Sequence, residues 1–532
     1  MSNADNLPPI DYDDLIKNEE PVDPENQHYQ KIFTDLQGGM IKGYGRNYSL
    51  YIFISFKSDK ITEVKQWIKE KIAQSVTSTF EQLQQTNQFK EEVKELKQQG
   101  LDSSTHYGKL CKNFFLSYQG YQALGIEIDT GDDSSFPRGM KTWWERSYLL
   151  PPTDEPREYW YSPPDDWDIG GKKQIHALIS LTHNGLEELK KEANTIIEQC
   201  RMIADIVACE AGCVLKNNKY SIGPFGFVDS ISQPLFLKSD YDNYLQQHQS
   251  VENRDLNWNP IASLSLILAK DPVKDSSFSE PHSYGSYCVW QKLEVNNKNF
   301  EDKVNELINR LRSKLENEHS PNDPSLEERV SALVFGRFQD GTPLTLSNQK
   351  HESVSRNDFN YENDPEGAKC PVHAHIRAVN PRVKKDKNNR IFRAGVNYFD
   401  DPEAQESSES DILEVCLNKL EYFHKLDTYS LEDKIKGISG LLFVCFQGDI
   451  DNQFSKIQTQ WADASLDASK RDPIVGHPKF KGRNKLESQK WPIQWNDNDK
   501  QNYVDYNFYD CVKNKGGEFF FAPSITFLTK LS

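Results

Sequence analysis

Four short segments of the 532-residue chain concentrate the residue types that do acid-base and metal chemistry. They are GPFGFVDSISQP (223–234), FGRFQDGTPL (335–344), CPVHAHIRAVNPR (370–382) and FRAGVNYF (392–399), dense in Gly, Pro, His, Arg or Asp as functional loops are. The third holds two imidazoles, His373 and His375, one residue apart. An extended strand, whose side chains alternate with a period of two, would point both to one side. On the residues alone, a two-histidine metal site and an unrelated pair, one satisfied in the core and one exposed, both stay open.

Elements must position these loops, and the chain supplies them twice. Ser49 to Phe56 (SLYIFISF) reads as a buried strand, and Ile61, Val64, Ile68, Ile72 and Val76 then keep a helical spacing on a charged background. A strand at Gln174 to Leu181 precedes a helix whose inner face is Leu186, Leu189, Ala193, Ile196, Ile197 and Cys200. The second half repeats the grammar: a strand at Gly285 to Lys292, a helix through Val304, Leu307, Ile308, Leu311 and Leu315, and a strand at Gly440 to Phe446. A helix through Phe454, Ile457 and Trp461 follows. Strands separated by amphipathic helices predict two α+β domains, each a sheet covered by helices on one face. The expected boundaries are a flexible acidic tail or surface strap over 1–34, an N-terminal domain over 35–245 and a C-terminal domain over 246–532. Thr130 to Gly171, crowded with Pro, Asp, Trp and Tyr, reads as a long irregular loop or insertion.

Bulk composition narrows the partners. With 63 Lys and Arg against 80 Asp and Glu, the formal charge of -17 repels phosphate backbones and acidic membrane surfaces, so neither nucleic acid nor a membrane is expected. No apolar run approaches the roughly 18 to 20 residues needed to cross a bilayer, and the first thirty residues carry neither an apolar core nor a twin-arginine pair. The expected compartment is the cytoplasm. Nine scattered cysteines without a Cys-x-x-Cys pair read as reduced thiols, with Cys209 and Cys213 as small buried side chains on one helix face. Association into a homo-oligomer is left open.

Taken together, in order and in wording, the segments resemble the dye-decolorising peroxidase family. The resemblance opens at DLQGGMIKGYG (35–45) and continues through Gly226 to Ser230, Gly285 to Glu294, Gly336 to Leu344 and Cys370 to Arg382. It resumes at GLLFVCFQGDIDNQFSKIQTQW (440–461) and GGEFFFAPSITFL (516–528), and is weak over 57–110, 130–165 and 240–280. It implies two ferredoxin-like domains, each an antiparallel sheet with helices on one face, and one haem b per chain held mainly by the C-terminal domain. It also implies hydrogen peroxide and a small-molecule reducing substrate, a bulky phenol or dye, oxidised through a high-valent iron-oxo intermediate. A haem-binding protein of the same fold with little turnover, serving storage or sensing, is the alternative.

Carried over residue by residue, the resemblance makes His375 the proximal iron ligand and leaves His373 structural. Asp472, in RDPIVGH (471–477), would support the far ring nitrogen of the ligand. Asp229 matches the distal acid that moves the peroxide proton, and Arg393, 18 residues after His375, is the fixed positive charge beside it. Leu441 and Phe443 correspond to apolar walls of the distal pocket. Arg377 and Arg382 would contact a haem propionate or a neighbouring acid. One position departs from the family pattern: Ser230 stands where the family has Gly, which costs stability or shifts Asp229 if the backbone there needs positive φ. The 10 Trp and 23 Tyr offer many sites for relaying electrons to the surface, with none singled out.

Overall fold

The structure, a computed structural model, describes residues 10–100, 108–148, 162–217, 220–247, 256–315, 324–351, 356–400, 412–426, 429–464, 467–477, 488–499 and 502–532. Eight strands dominate it: β1 Tyr48–Phe56, β2 Cys111–Ser117, β3 Ala177–His183, β4 Ala204–Cys213, β5 Tyr284–Val295, β6 Val396–Tyr398, β7 Gly440–Gln447 and β8 Val512–Ala522. In the first half β1 lies between β3 and β4, and β3 also pairs with β2, giving the antiparallel order β4-β1-β3-β2. The second half repeats that order as β8-β5-β7-β6. Each half is therefore a ferredoxin-like sheet.

The halves join edge to edge through two short seams. Phe520 and Phe521 of β8 pair with Ser117 and Leu116 of β2, and Asn397 of β6 pairs with Cys213 of β4. With both seams made, the eight strands close into an antiparallel barrel that leaves few free edges. The apolar run of β1 serves both of its faces. Tyr51 and Phe53 point into the lumen with Phe115, Leu178, Trp290, Val444 and Phe520. Leu50, Ile52 and Ile54 point outward against helices α2 Ile61–Trp67 and α4 Leu186–Cys200, through Val64, Trp67, Leu189 and Ile196. A third cluster lies in the second half, built on helices α5 Asn297–Leu315 and α6 Pro324–Phe335.

Three expectations need correction. The segment 130–171 is not irregular throughout: helix α3 Ser135–Tyr148 buries Phe136, Met140, Trp143 and Trp144, broken at Gly139 where φ is 70°. Residues 149–161 of that segment lie outside the described residues. Cys209 and Cys213 sit on strand β4, not on a helix, and share its outward face because four is a multiple of the strand period. Of the two readings of the segment before residue 35, the flexible tail gives way to the surface strap over the described part from residue 10, which is anchored at a few buried residues. Helix α1 Gln27–Asp35 buries Tyr29, Ile32 and Phe33, and Val22 bridges to Leu237. These apolar residues, spread among acids, find enough surface in the barrel mouth to order a strap; residues 1–9 lie outside the described residues.

Candidate active site

His375 opens the short helix α7 His375–Ala378, so the two histidines do not share a strand. The turn sends them apart. His373 is 1% exposed, lies edge-on to Trp491 with ring centroids 4.4 Å apart, and burial pushes its pKa down to about 3. It is a neutral core residue. His375 faces a cavity, with Phe335 edge-on at 6.0 Å. Its Nδ1 lies 2.7 Å from Asp472 Oδ2, while Nε2 has no hydrogen-bond partner among the described residues.

Asp472 is placed by its own loop. Its Oδ1 accepts the amides of Ile474 at 2.7 Å and Val475 at 3.2 Å, and its N–H donates to the carbonyl of Ala462. Ala462 ends a stretch of wide, π-type helix, Asp451–Ser455 and Ile457–Ala462, that follows β7 and sends Phe454, Ile457 and Gln458 to the cavity wall. Gly476 closes the turn where a Cβ would strike the carbonyl oxygens of Ala462 and Asp472.

Across the cavity, the loop after β4 carries Asp229. Gly226 turns the chain at φ 82°, Phe225 and Phe227 pack against Phe335 of α6, and the Asp229 N–H donates to Ser221. Asp229 Oδ1 lies 3.5 Å from Arg393 Nη1, with the two side chains 40% and 34% exposed. Gln233 fixes Arg393 through its backbone, donating Nε2 to the carbonyl at 2.7 Å and accepting the N–H at 3.2 Å. Ser230 adopts φ 64°, so the left-handed conformation that would suit Gly is held by Ser with the Asp229–Arg393 contact intact.

Asp229, His375, Arg382, Arg393, Leu441 and Phe443 all line this one cavity. Asp472 sits behind His375, fully buried. Arg377 is not among the residues that line this cavity. Of the two partners expected for it, it takes the neighbouring acid: Nη1 lies 2.9 Å from Asp364 Oδ2 and also donates to the carbonyl of Cys370, Nη2 donates to the carbonyls of Asp364 and Pro365, and the guanidinium covers Tyr361. Arg382 instead donates to Ser232 Oγ, Asn357 and the carbonyl of Phe359 at 2.6 to 2.8 Å.

Sequence reasoning missed three groups of the wall. Arg337 lies inside FGRFQDGTPL, and its Nη2 donates to the same Ser232 hydroxyl that Arg382 uses. Arg390 donates to the carbonyls of Lys387, Pro260 and Ile261. Gln233 was visible only as part of a dense loop. Burial lowers the pKa of Arg337 to about 9 and those of Arg382 and Arg390 to about 10, and none of the three has a carboxylate partner among the described residues. Asp358 and Glu19 act on Arg382 and Arg390 only from beyond ion-pair distance, so the wall carries an excess of positive charge and favours an anionic group.

No protein-family model matches the chain. The multifunctional dye peroxidase DyP2 of Amycolatopsis sp. is 30% identical over 442 residues, 78% of this chain and 81% of that one. The chain belongs to the dye-decolorising peroxidase family. The crystal structure of a DyP-type peroxidase from Anabaena sp. superposes with a TM-score of 0.74 at 33% identity, covering 98% of this chain and 99% of that one. The solved structure of DyP2 from Amycolatopsis sp. gives 0.71 at 25% identity over 94% of this chain and 96% of that one. The chain is thus a peroxidase, an enzyme that oxidises a donor at the expense of a peroxide, and its family implies haem.

The residues of this peroxidase fit that group. One imidazole with a free Nε2 faces a cavity walled by Phe227, Phe335, Leu441, Phe443, Phe454 and Ile457, suited to an apolar macrocycle. The excess charge of Arg337, Arg382 and Arg390 suits its carboxylates. No described helix is long and apolar enough to cross a membrane.

Proposed function

We propose that His375, through Nε2, is the axial ligand of one haem b per chain, held mainly by residues of the second half, and that Asp229 and Arg393 work on the peroxide. When bound, haem supplies the redox centre at which the peroxide is reduced and from which the donor is oxidised. Asp472 takes the hydrogen of His375 Nδ1, which fixes the tautomer that leaves Nε2 free to ligate and raises ring basicity. Asp229 accepts the proton of the incoming hydrogen peroxide at a carboxylate oxygen and returns it to the departing oxygen, which leaves as water. Arg393 holds a fixed positive charge beside the breaking O–O bond, and Leu441 and Phe443 keep bulk water away so that this charge acts at full strength. Arg382, with Arg337 and Arg390, binds the carboxylates of the cofactor.

The donor we infer is a phenol or dye-like small molecule, as the names of the relatives indicate for those proteins. Nine buried cysteine thiols support a reducing, cytoplasmic setting. We retain 35–245 and 246–532 as the two domains, because β1 to β4 before that boundary and β5 to β8 after it each pair mainly among themselves in the same strand order.

The observation that carries this reading is the placement of His375–Asp472 and Asp229–Arg393 on one cavity. The test is to add one equivalent of hydrogen peroxide to the haem-loaded protein and follow the Soret band. A rapid change, reversed by a phenolic donor, is expected. An unaltered band would leave only a haem-binding protein.

A further inference from the structure

A second cavity, about 440 Å³, occupies the barrel lumen. It meets the first one at a shared wall containing Asp229, Ser230, Gln233, Arg393 and Leu441. Hydrogen peroxide is smaller than two water molecules and needs only a narrow passage to reach Asp229. The lumen offers much more, a chamber of the size that holds a small organic ligand.

Its walls state what kind of ligand. Tyr51, Phe115, Leu178, Trp290, Val444 and Phe446 make it aromatic and aliphatic. The cations at its outer end are already engaged: Lys42 with Asp240, Arg46 with the carbonyls of Tyr44 and Lys109, and Lys216 with Asn47. Between these groups and the Asp229–Arg393 pair the wall carries no formal charge, so it suits a neutral group. Ser49, Asn113, Ser180 and Thr182 add uncharged polar groups to this wall. The chamber therefore suits a molecule that is mostly apolar with a few polar atoms.

We propose that the lumen binds the organic part of a neutral hydroperoxide, R–O–O–H with R an aryl or branched alkyl group, so that its peroxy end lies at Asp229 and Arg393. The inference rests on the peroxidase reading of that pair and extends its oxidant from hydrogen peroxide to this class. The step balances as R–O–O–H plus two electrons and two protons giving R–OH and water. The O–O bond breaks, the electrons come from the donor, and Asp229 carries the proton of the terminal oxygen to the R–O oxygen. The alcohol then leaves through the lumen. Burial of R in place of water supplies the binding, in proportion to its apolar area.

Cumene hydroperoxide and its alcohol, 2-phenyl-2-propanol, test this on the haem-loaded protein. Ser180→Leu and Val444→Phe fill the lumen at positions that touch neither the first cavity nor the Asp229–Arg393 pair. Ser180→Val is the milder substitute if either fails to fold. The wild type is expected to use cumene hydroperoxide with a kcat/KM within tenfold of that for hydrogen peroxide, and to bind the alcohol in calorimetry. The filled variants should raise KM for cumene hydroperoxide at least tenfold, leave KM for hydrogen peroxide within twofold, and lose the alcohol. Parallel changes for both peroxides, or no change for either, overturn the proposal, as does failure of the wild type to bind the alcohol. Loss of turnover with hydrogen peroxide itself would strike the peroxidase reading, and alcohol binding, which needs no turnover, still decides the lumen.

Discussion

Asp472 grips His375 with one oxygen and its own loop with the other: Oδ2 lies 2.7 Å from Nδ1, while Oδ1 accepts two amides from Ile474 and Val475. The carboxylate is fully buried and cannot swing away without breaking the turn. Asp472→Asn keeps the shape but removes the charge that makes the imidazole basic. Haem affinity should fall by roughly 10- to 100-fold and the ferric–ferrous midpoint potential should rise. A redox titration that finds the potential unmoved would remove Asp472 from the ligand's support.

His375→Ala should lose most haem, whereas His373→Ala should keep it at a cost of roughly 2 kcal/mol in stability for the hole beside Trp491. The ratio of Soret to protein absorbance reads the first outcome and urea unfolding the second. Equal haem content in His375→Ala and wild type would refute the ligand assignment.

Asp229→Asn and Arg393→Leu should both bind haem normally but slow the first peroxide-dependent change of the Soret band at least tenfold, about 1.4 kcal/mol of barrier. Stopped-flow mixing measures it. If neither variant slows that change, the pair at 3.5 Å does not carry the proton and charge chemistry.

Ser230→Gly should stabilise the protein by about 1 kcal/mol, because Ser occupies φ 64° where a Cβ is strained. Unchanged reactivity with hydrogen peroxide is expected alongside, since Asp229 already faces Arg393. A destabilised Ser230→Gly variant in urea unfolding would show that the loop holds Ser by other means.

Stability should depend on pH in two opposite ways. His373 has a pKa near 3 in the fold against 6.5 for the free group, so only the unfolded chain takes up its proton between those values. Its contribution is complete above about pH 6.5 and falls toward pH 3, by at most about 1.4 kcal/mol per pH unit. Burial raises Glu518 from 4.5 and Asp271 from 3.8, each to about 7, so the fold holds their protons in mild acid and this stabilisation is lost as pH rises through 7. Urea midpoints between pH 4 and 8 should show a flatter acid limb in His373→Phe and a flatter neutral limb in Glu518→Gln. Identical profiles for both variants and wild type would remove these groups as the source.

Much of this was legible in the chain itself. Strands β1, β3, β5 and β7 and helices α2, α4 and α5 announce themselves because their period is local and their apolar residues are consecutive or spaced by turns. The motif-rich loops likewise named His375, Asp229 and Arg393 through wording. Helix α3 escaped because Pro137, Gly139 and neighbouring loop-like residues mask a pattern that only the packing of Trp143 against Phe454 and Phe519 and of Trp144 against Trp167 completes. For the segment before residue 35 composition left tail and surface strap both open, because its few buried residues are outnumbered by acids.

The tertiary structure alone decided what depends on residues far apart in sequence. Closure of the barrel rests on Asn397 meeting Cys213 and on Phe520 and Phe521 meeting Ser117 and Leu116, pairings no local period encodes. Arg377 and Arg382 stand five residues apart in one motif, yet one turns to Asp364 and the other to the cavity, because side-chain direction is set by the turn after α7. The lumen chamber, too, exists only once both sheets have closed. Sequence by itself fixed residue types and local periods; the chemistry of this peroxidase depends on distances that arise when those periods pack.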